Sequence, residues 1–94
     1  MDNKKLNIIS KLNVLTENDL SRFRMLKYVY IIRETPKAII FKFHFLNNDG
    51  KPVHNTDAIP KSQLRWNPSN NYVYVSNWFA DQFILRYREF DVGF

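Results

Sequence analysis

The chain has 94 residues, a length at which one hydrophobic core serves the whole polypeptide, so a single domain over 1–94 is expected. With 45% apolar and 16% aromatic residues that core needs no covalent staples, and the lack of any cysteine excludes disulfides, thiolate metal sites and cysteine nucleophiles. Fourteen Lys and Arg against nine Asp and Glu leave a net charge of +5, and no apolar run approaches a membrane span or a signal-peptide core, so a soluble, cytoplasmic protein with no membrane partner is expected.

The first fifteen residues read as an ordered arm or first strand, because Leu6, Ile8, Leu12 and Val14 alternate, although Leu6, Ile9, Leu12 and Leu15 also recur at near-helical intervals. In Thr16-Glu17-Asn18-Asp19 the hydroxyl can accept from the Asp19 amide while that carboxylate reaches back, which starts a short helix over about 17–23 with Leu20 and Phe23 on one side. Residues 26–33 are β-branched and aromatic and predict a strand, ended by Glu34-Thr35-Pro36-Lys37, where Pro36 cannot donate to a ladder. The next strand carries the clearest period of the chain: Ile39, Phe41, Phe43 and Phe45 form an apolar face destined for the core, with Ile40, Lys42, His44 and Leu46 on the other face.

Asn47 to Pro52 is a turn, since Asn, Asp and Gly tolerate positive φ. Residues 53–57 read as a polar connection and 58–66 as a strand interrupted or bulged at Pro60. Asn67 to Asn71 reverses the chain into the strand Tyr72-Val73-Tyr74-Val75, which puts both tyrosines on one face and both valines on the other. Ser76 then caps a helix from Asn77 to about Tyr87, with Phe79, Phe83 and Tyr87 on one side and Trp78 and Leu85 nearby, and Phe90 to Phe94 is a tail or a final pairing segment. Together these elements predict an α+β fold: a small antiparallel sheet of three to five strands with a helix near each end, the alternative being a small OB- or SH3-like barrel.

Little catalytic chemistry is available. His44 and His54 stand in no metal-ligand spacing, no serine sits in a glycine-framed elbow, and Gly50 and Gly93 are too isolated to cradle phosphate. A non-enzyme without cofactor or metal is therefore expected. The one surviving catalytic arrangement is general acid–base cleavage of RNA by the two histidines, with Lys or Arg on the phosphorane.

Binding of polyanions is better supported. Residues 20–66 hold nine basic groups against three acids, whereas the rest of the chain holds five against six, and a local cationic excess speeds the encounter with RNA, DNA or acidic proteins. Single strands are held by positive grooves and aromatic platforms. The residues that combine these chemistries are Lys42, His44, Lys61, Arg65, Trp66, Tyr72 and Tyr74. Charge reversal at Lys42, Lys61 and Arg65 is expected to abolish binding with the fold intact. A protein-interaction domain without nucleic acid, monomeric or homodimeric through an uncovered sheet edge, is a further alternative.

Two observations bear on origin. Asn, Lys, Ile, Phe and Tyr make up 40 of the 94 residues, all read from AT-rich codons, which points to a low-GC bacterium or its phage. The pieces Lys37-Ala38-Ile39, Ile59-Pro60-Lys61-Ser62-Gln63, Tyr72-Val73-Tyr74-Val75 and Trp78-Phe79-Ala80 resemble the pattern of small phage and prophage accessory proteins, over about half the chain. What the resemblance implies is a binding protein acting on a host factor, similar to the anti-CRISPR proteins. Its partner would be a CRISPR effector or its guide RNA in the bacterial host cell. The alternative within the same setting is a single-stranded nucleic-acid-binding protein for phage replication or recombination.

Overall fold

The computed structural model describes residues 3–26, 29–47, 49–86 and 90–91, with Asn3, 44–47, Val53, 83–86 and 90–91 described by their backbone alone. In chain order the elements are α1 (Asn3–Ile9), a 3-10 turn (Glu17–Asp19), β1 (Phe23–Met25), β2 (Val29–Glu34) and β3 (Ala38–Asn47). They continue with β4 (Pro52–Pro60), a second 3-10 turn (Lys61–Gln63), β5 (Leu64–Asn67), β6 (Tyr72–Ser76), α2 (Asn77–Arg86) and β7 (Phe90–Asp91).

The described residues form two antiparallel sheets and two helices, where one sheet was expected. The first has the order β1-β6-β5; the second is the meander β2-β3-β4, to which β7 adds a short fourth strand on β3. Pro60 is where the chain changes sheet. The continuous strand expected over 58–66 is split there, because Pro60 ends β4 and the Lys61–Gln63 turn redirects the chain so that Leu64 pairs with Val75 of β6. The expected polar connection at 53–57 is also strand: it pairs residue for residue with Phe41 to Phe45 at the edge of its sheet, with His54 and Thr56 exposed and Asn55 and Asp57 half-buried.

The N-terminal segment is helical where a strand was expected, but its end pairs as an ordered arm: Val14 bridges Trp66 in parallel, the Leu15 N–H donates to the Trp66 carbonyl at 2.8 Å and the Trp66 N–H donates to the Asn13 carbonyl at 2.9 Å. Residues 3–9 are helical, and Ile8, Ile9 and Leu12 enter the core: Ile9 comes from the near-helical set, Ile8 from the alternating one and Leu12 from both, because adjacent residues of a helix can both border a broad apolar stripe. The helix expected over 17–23 is a single 3-10 turn. The Thr16 N–H donates to the Asp19 carboxylate at 2.9 Å as the pattern implied, while the Asp19 N–H goes to the Thr16 carbonyl at 3.0 Å. Beyond it, Phe23, Arg24 and Met25 are taken by pairing with Ser76, Val75 and Tyr74, which cuts the helix short. Leu20, expected to pack with Phe23, is 62% exposed.

Both sheets turn their inner faces to one core: Ile39, Phe41, Phe43 and Ile59 from the second, Leu64, Val73 and Val75 from the first, sealed by Ile8, Ile9, Leu12, Leu26 and Ala80. Phe41 and Phe43 are buried as expected, whereas the expectations for the side chains of Phe45, Phe83 and Leu85 and for Tyr87 lie outside the described residues. Ser76 accepts from the Phe79 N–H at 3.1 Å, the capping role expected of it. The helix is fastened to β1 by Arg24, which reaches Asn77 at 3.0 Å and Asp81 at 3.2 Å. No helix among the described residues is long and apolar enough to cross a membrane.

Two carboxylates tie distant segments together. Glu34, at the end of β2, accepts from Lys11 at 2.6 Å and Lys61 at 2.9 Å, and these two hydrogen bonds hold its carboxyl below the usual range. Asp19 is held below its usual range first by the Thr16 N–H and also by Arg65 and Arg22. A carboxyl depressed in the folded state contributes stability above its unfolded pKa and loses that contribution as pH falls through the folded value. The thermal midpoint should therefore be flat from neutral pH and decline once pH drops below the ordinary values of 4.5 for Glu34 and 3.8 for Asp19. In Glu34→Gln the neutral-pH midpoint should be lower and the acid-side decline shallower. An unchanged melt across the whole range would show that the Lys11–Glu34–Lys61 bridge holds nothing.

Candidate nucleic-acid interface

The seven residues singled out from sequence are distributed over several surfaces. Lys42 and His44 are on β3 of the meander, while Arg65, Tyr72 and Tyr74 share the outer face of the other sheet, where the register sets Arg65 opposite Tyr74 and Asn67 opposite Tyr72. Trp66 stands opposite Val73 on the inner face and packs against the core. Lys61 is bound to Glu34. Arg65 is fully engaged: its Nε lies 3.4 Å from Asp19, its Nη1 donates to the carbonyls of Ser62 and Leu64, and its guanidinium sits 4.5 Å above the Phe23 ring. Both cations are tied to carboxylates of distant segments, so their reversal should lower stability as well as any binding: Lys61→Glu would face Glu34, and Arg65→Glu would face Asp19.

Two cations without an ion pair to a described residue, the exposed Arg33 and the half-buried Lys42, lie on the outer face of the meander. Because β-strand side chains alternate, the burial of Ile39, Phe41 and Phe43 turns Ile40 and Lys42 outward. The ladder then builds rows across three strands. Lys42 has Tyr30 on one side and Thr56 on the other, and Ile40 lies between Arg33 and Ala58. His44 stands opposite His54, so two residues ten apart in sequence become cross-strand neighbours. Side chains in such positions have Cβ atoms about 4.5–5.5 Å apart. The bulge between Ile31 and Arg33 is what brings Arg33 to this face, for without the extra residue it would share the inner side with Val29 and Ile31.

The face is open and basic. Tyr30 is 63% and Ile32 40% exposed, and Arg33, His54, Thr56 and Ala58 are exposed as well. Glu34 and Asp57 stand opposite Ile39 and Phe41, on the inner side. Among the residues whose side chains are described, no carboxylate shares the outer face, and Arg33 and Lys42 form no ion pair with a described residue. At the far end the register brings Asp91 opposite Leu46. Tyr30, Arg33 and Thr56 were not singled out from sequence. The alternation of Tyr30 against Val29 and Ile31 is a usable signal for the first, but the position of Arg33 depends on a bulge that no residue type announces.

Comparison with protein-family models, with curated proteins and with solved structures finds no match for this chain.

Proposed function

We propose that the chain is a non-enzymatic binding protein that engages single-stranded RNA through the outer face of its β2-β3-β4 meander. The observation that supports this reading is the carboxylate-free row Tyr30–Lys42–Thr56 with Arg33 beside it. An open antiparallel sheet with an aromatic ring and unpaired cations is the surface on which unstacked bases and phosphates are held together. In the phage setting that the sequence pattern implies, the RNA is the guide of a host effector complex, and occupying it inhibits the complex. The test is fluorescence anisotropy with a labelled single-stranded RNA, from about 50 to 200 mM salt, where binding should weaken steeply as counterions compete for the phosphates. Absence of binding at the lowest salt overturns the reading and directs the search to an acidic protein partner.

The register that pairs His44 with His54 favours a second reading, metal-independent cleavage of RNA on the same face. One imidazole would take the 2′-hydroxyl proton as that oxygen attacks the phosphorus, and the other would give a proton to the leaving 5′-oxygen. RNA incubated with the protein and a chelator should remain intact. Cleavage to 2′,3′-cyclic phosphate ends, lost in His54→Ala, would replace the binding-only reading.

A further inference from the structure

A separate depression of about 390 Å³ lies at the start of α2, on the outer side of the β1-β6-β5 sheet, between Arg22, Ser62, Gln63, Arg65 and Trp78. Trp78 is 64% exposed although it is among the largest apolar side chains in the protein, and its ring is braced at one edge by Phe79, 6.5 Å away between centroids. Arg22 stands at the same rim with 71% of its side chain exposed and only a long approach, 3.9 Å, to Asp19. Its backbone is fixed there because its carbonyl accepts from the Asn77 N–H at 2.8 Å, which couples the arginine to the first turn of the tryptophan's own helix. The floor is polar and held in place. Gln63 accepts from the Ser76 hydroxyl through Oε1, which leaves its amide N–H groups to donate, and Arg65 is locked beneath by Asp19, Phe23 and two carbonyls.

The geometry points to a binding site for one unpaired nucleotide, with its base on Trp78 and its phosphate against Arg22. The parts match that chemistry better than a peptide's. A broad aromatic plane offers a base a stacking surface of its own shape, a guanidinium beside it makes the bidentate contact that phosphate oxygens favour, and a floor of amide and hydroxyl groups provides partners for a base edge. The volume is within the range of small-ligand pockets. The inference goes beyond the reading of the meander face, which belongs to the other sheet and turns away from the shared core on its own side.

The experiment is a fluorescence titration in a Trp66→Phe background, which leaves Trp78 the sole tryptophan. Trp66→Phe should fold normally, since the Trp66 indole N–H is buried without an acceptor among the described residues and its loss removes an unmet donor. Adenosine monophosphate and a short 5′-phosphorylated single-stranded oligonucleotide should each quench Trp78 saturably, at about millimolar concentration or tighter for the mononucleotide. Adding Arg22→Glu should weaken the mononucleotide at least about tenfold while leaving the weaker quenching by adenosine unchanged. Quenching by the oligonucleotide alone, again lost in Arg22→Glu, assigns the nucleotide to a strand. A lack of saturable quenching by either probe, or quenching indifferent to Arg22→Glu, overturns the site. Mononucleotide quenching should survive Arg33→Glu/Lys42→Glu, so failure of this site and failure of the meander reading are told apart.

Discussion

The double variant Arg33→Glu/Lys42→Glu should lose single-stranded RNA binding by about 100-fold at 50 mM salt while its melting curve stays within about 2 °C of the parent. The two positions separate binding from folding in a way that Lys61 and Arg65 cannot. Neither side chain is ion-paired with a described residue. Each lies on the outer face of the meander, opposite Ile40 and Tyr30 respectively, so removing the charge exposes no buried partner. For single strands the slope of log affinity against log salt scales as roughly 0.7 per phosphate neutralised, and with two phosphates fewer the double variant should be flatter by about 1.4. Tyr30→Ala should act differently, costing about 1–3 kcal/mol if one base stacks there, with the salt slope unchanged. Retained affinity in the double variant, with the parent's slope, would remove the meander face from consideration. A uniform weakening in Lys61→Glu accompanied by a lower melting point would show the contrasting behaviour of a cation that holds structure.

Whether an element is legible in the sequence depends on what determines it. The β3 period is legible because alternation is local and its consequence, burial of Phe41 and Phe43, requires only that one face be covered. The tyrosines and valines of β6 divide between faces for the same reason, with Val73 and Val75 buried. Which strand pairs with which is not local and is not legible. Phe23 to Met25 has no strand signature by itself and becomes a strand only because β6 offers it an edge, and the polar 53–57 stretch becomes one because β3 is ten residues long. Lys61 and Arg65 look like free cations in the sequence for the same reason, since their carboxylates, Glu34 and Asp19, are 27 and 46 positions away in the chain. Linear clustering of charge identifies the right composition, but only the ladder decides which cations face solvent without a partner.

Phe41→Ala should abolish the cooperative native state or come close to it. The ring is completely buried at the centre of β3, between Ile31 and Asp57 on the flanking strands, with Phe43 at 6.0 Å. Truncating a buried phenylalanine costs about 3–5 kcal/mol, counting the cavity left behind, against a total stability of about 5–15 kcal/mol for a small domain. With a urea dependence near 1 kcal/mol per molar, the unfolding midpoint should move down by about 3 M or vanish. Phe41→Leu, which retains most of the volume, should shift it by less than half as much. The variant also tests the architecture. Phe41 belongs to the meander, whereas Trp66 and Trp78 report on the β1-β6-β5 sheet and the helix that follows it. Because both sheets bury their inner faces in one cluster, tryptophan fluorescence and far-ultraviolet circular dichroism should follow a single transition in the parent and in every Phe41 variant that still folds. If the tryptophans kept their native signal while the sheet content fell, the two sheets would be independent units, and the proposed RNA-binding face of the meander could be lost or restored without disturbing the proposed nucleotide pocket.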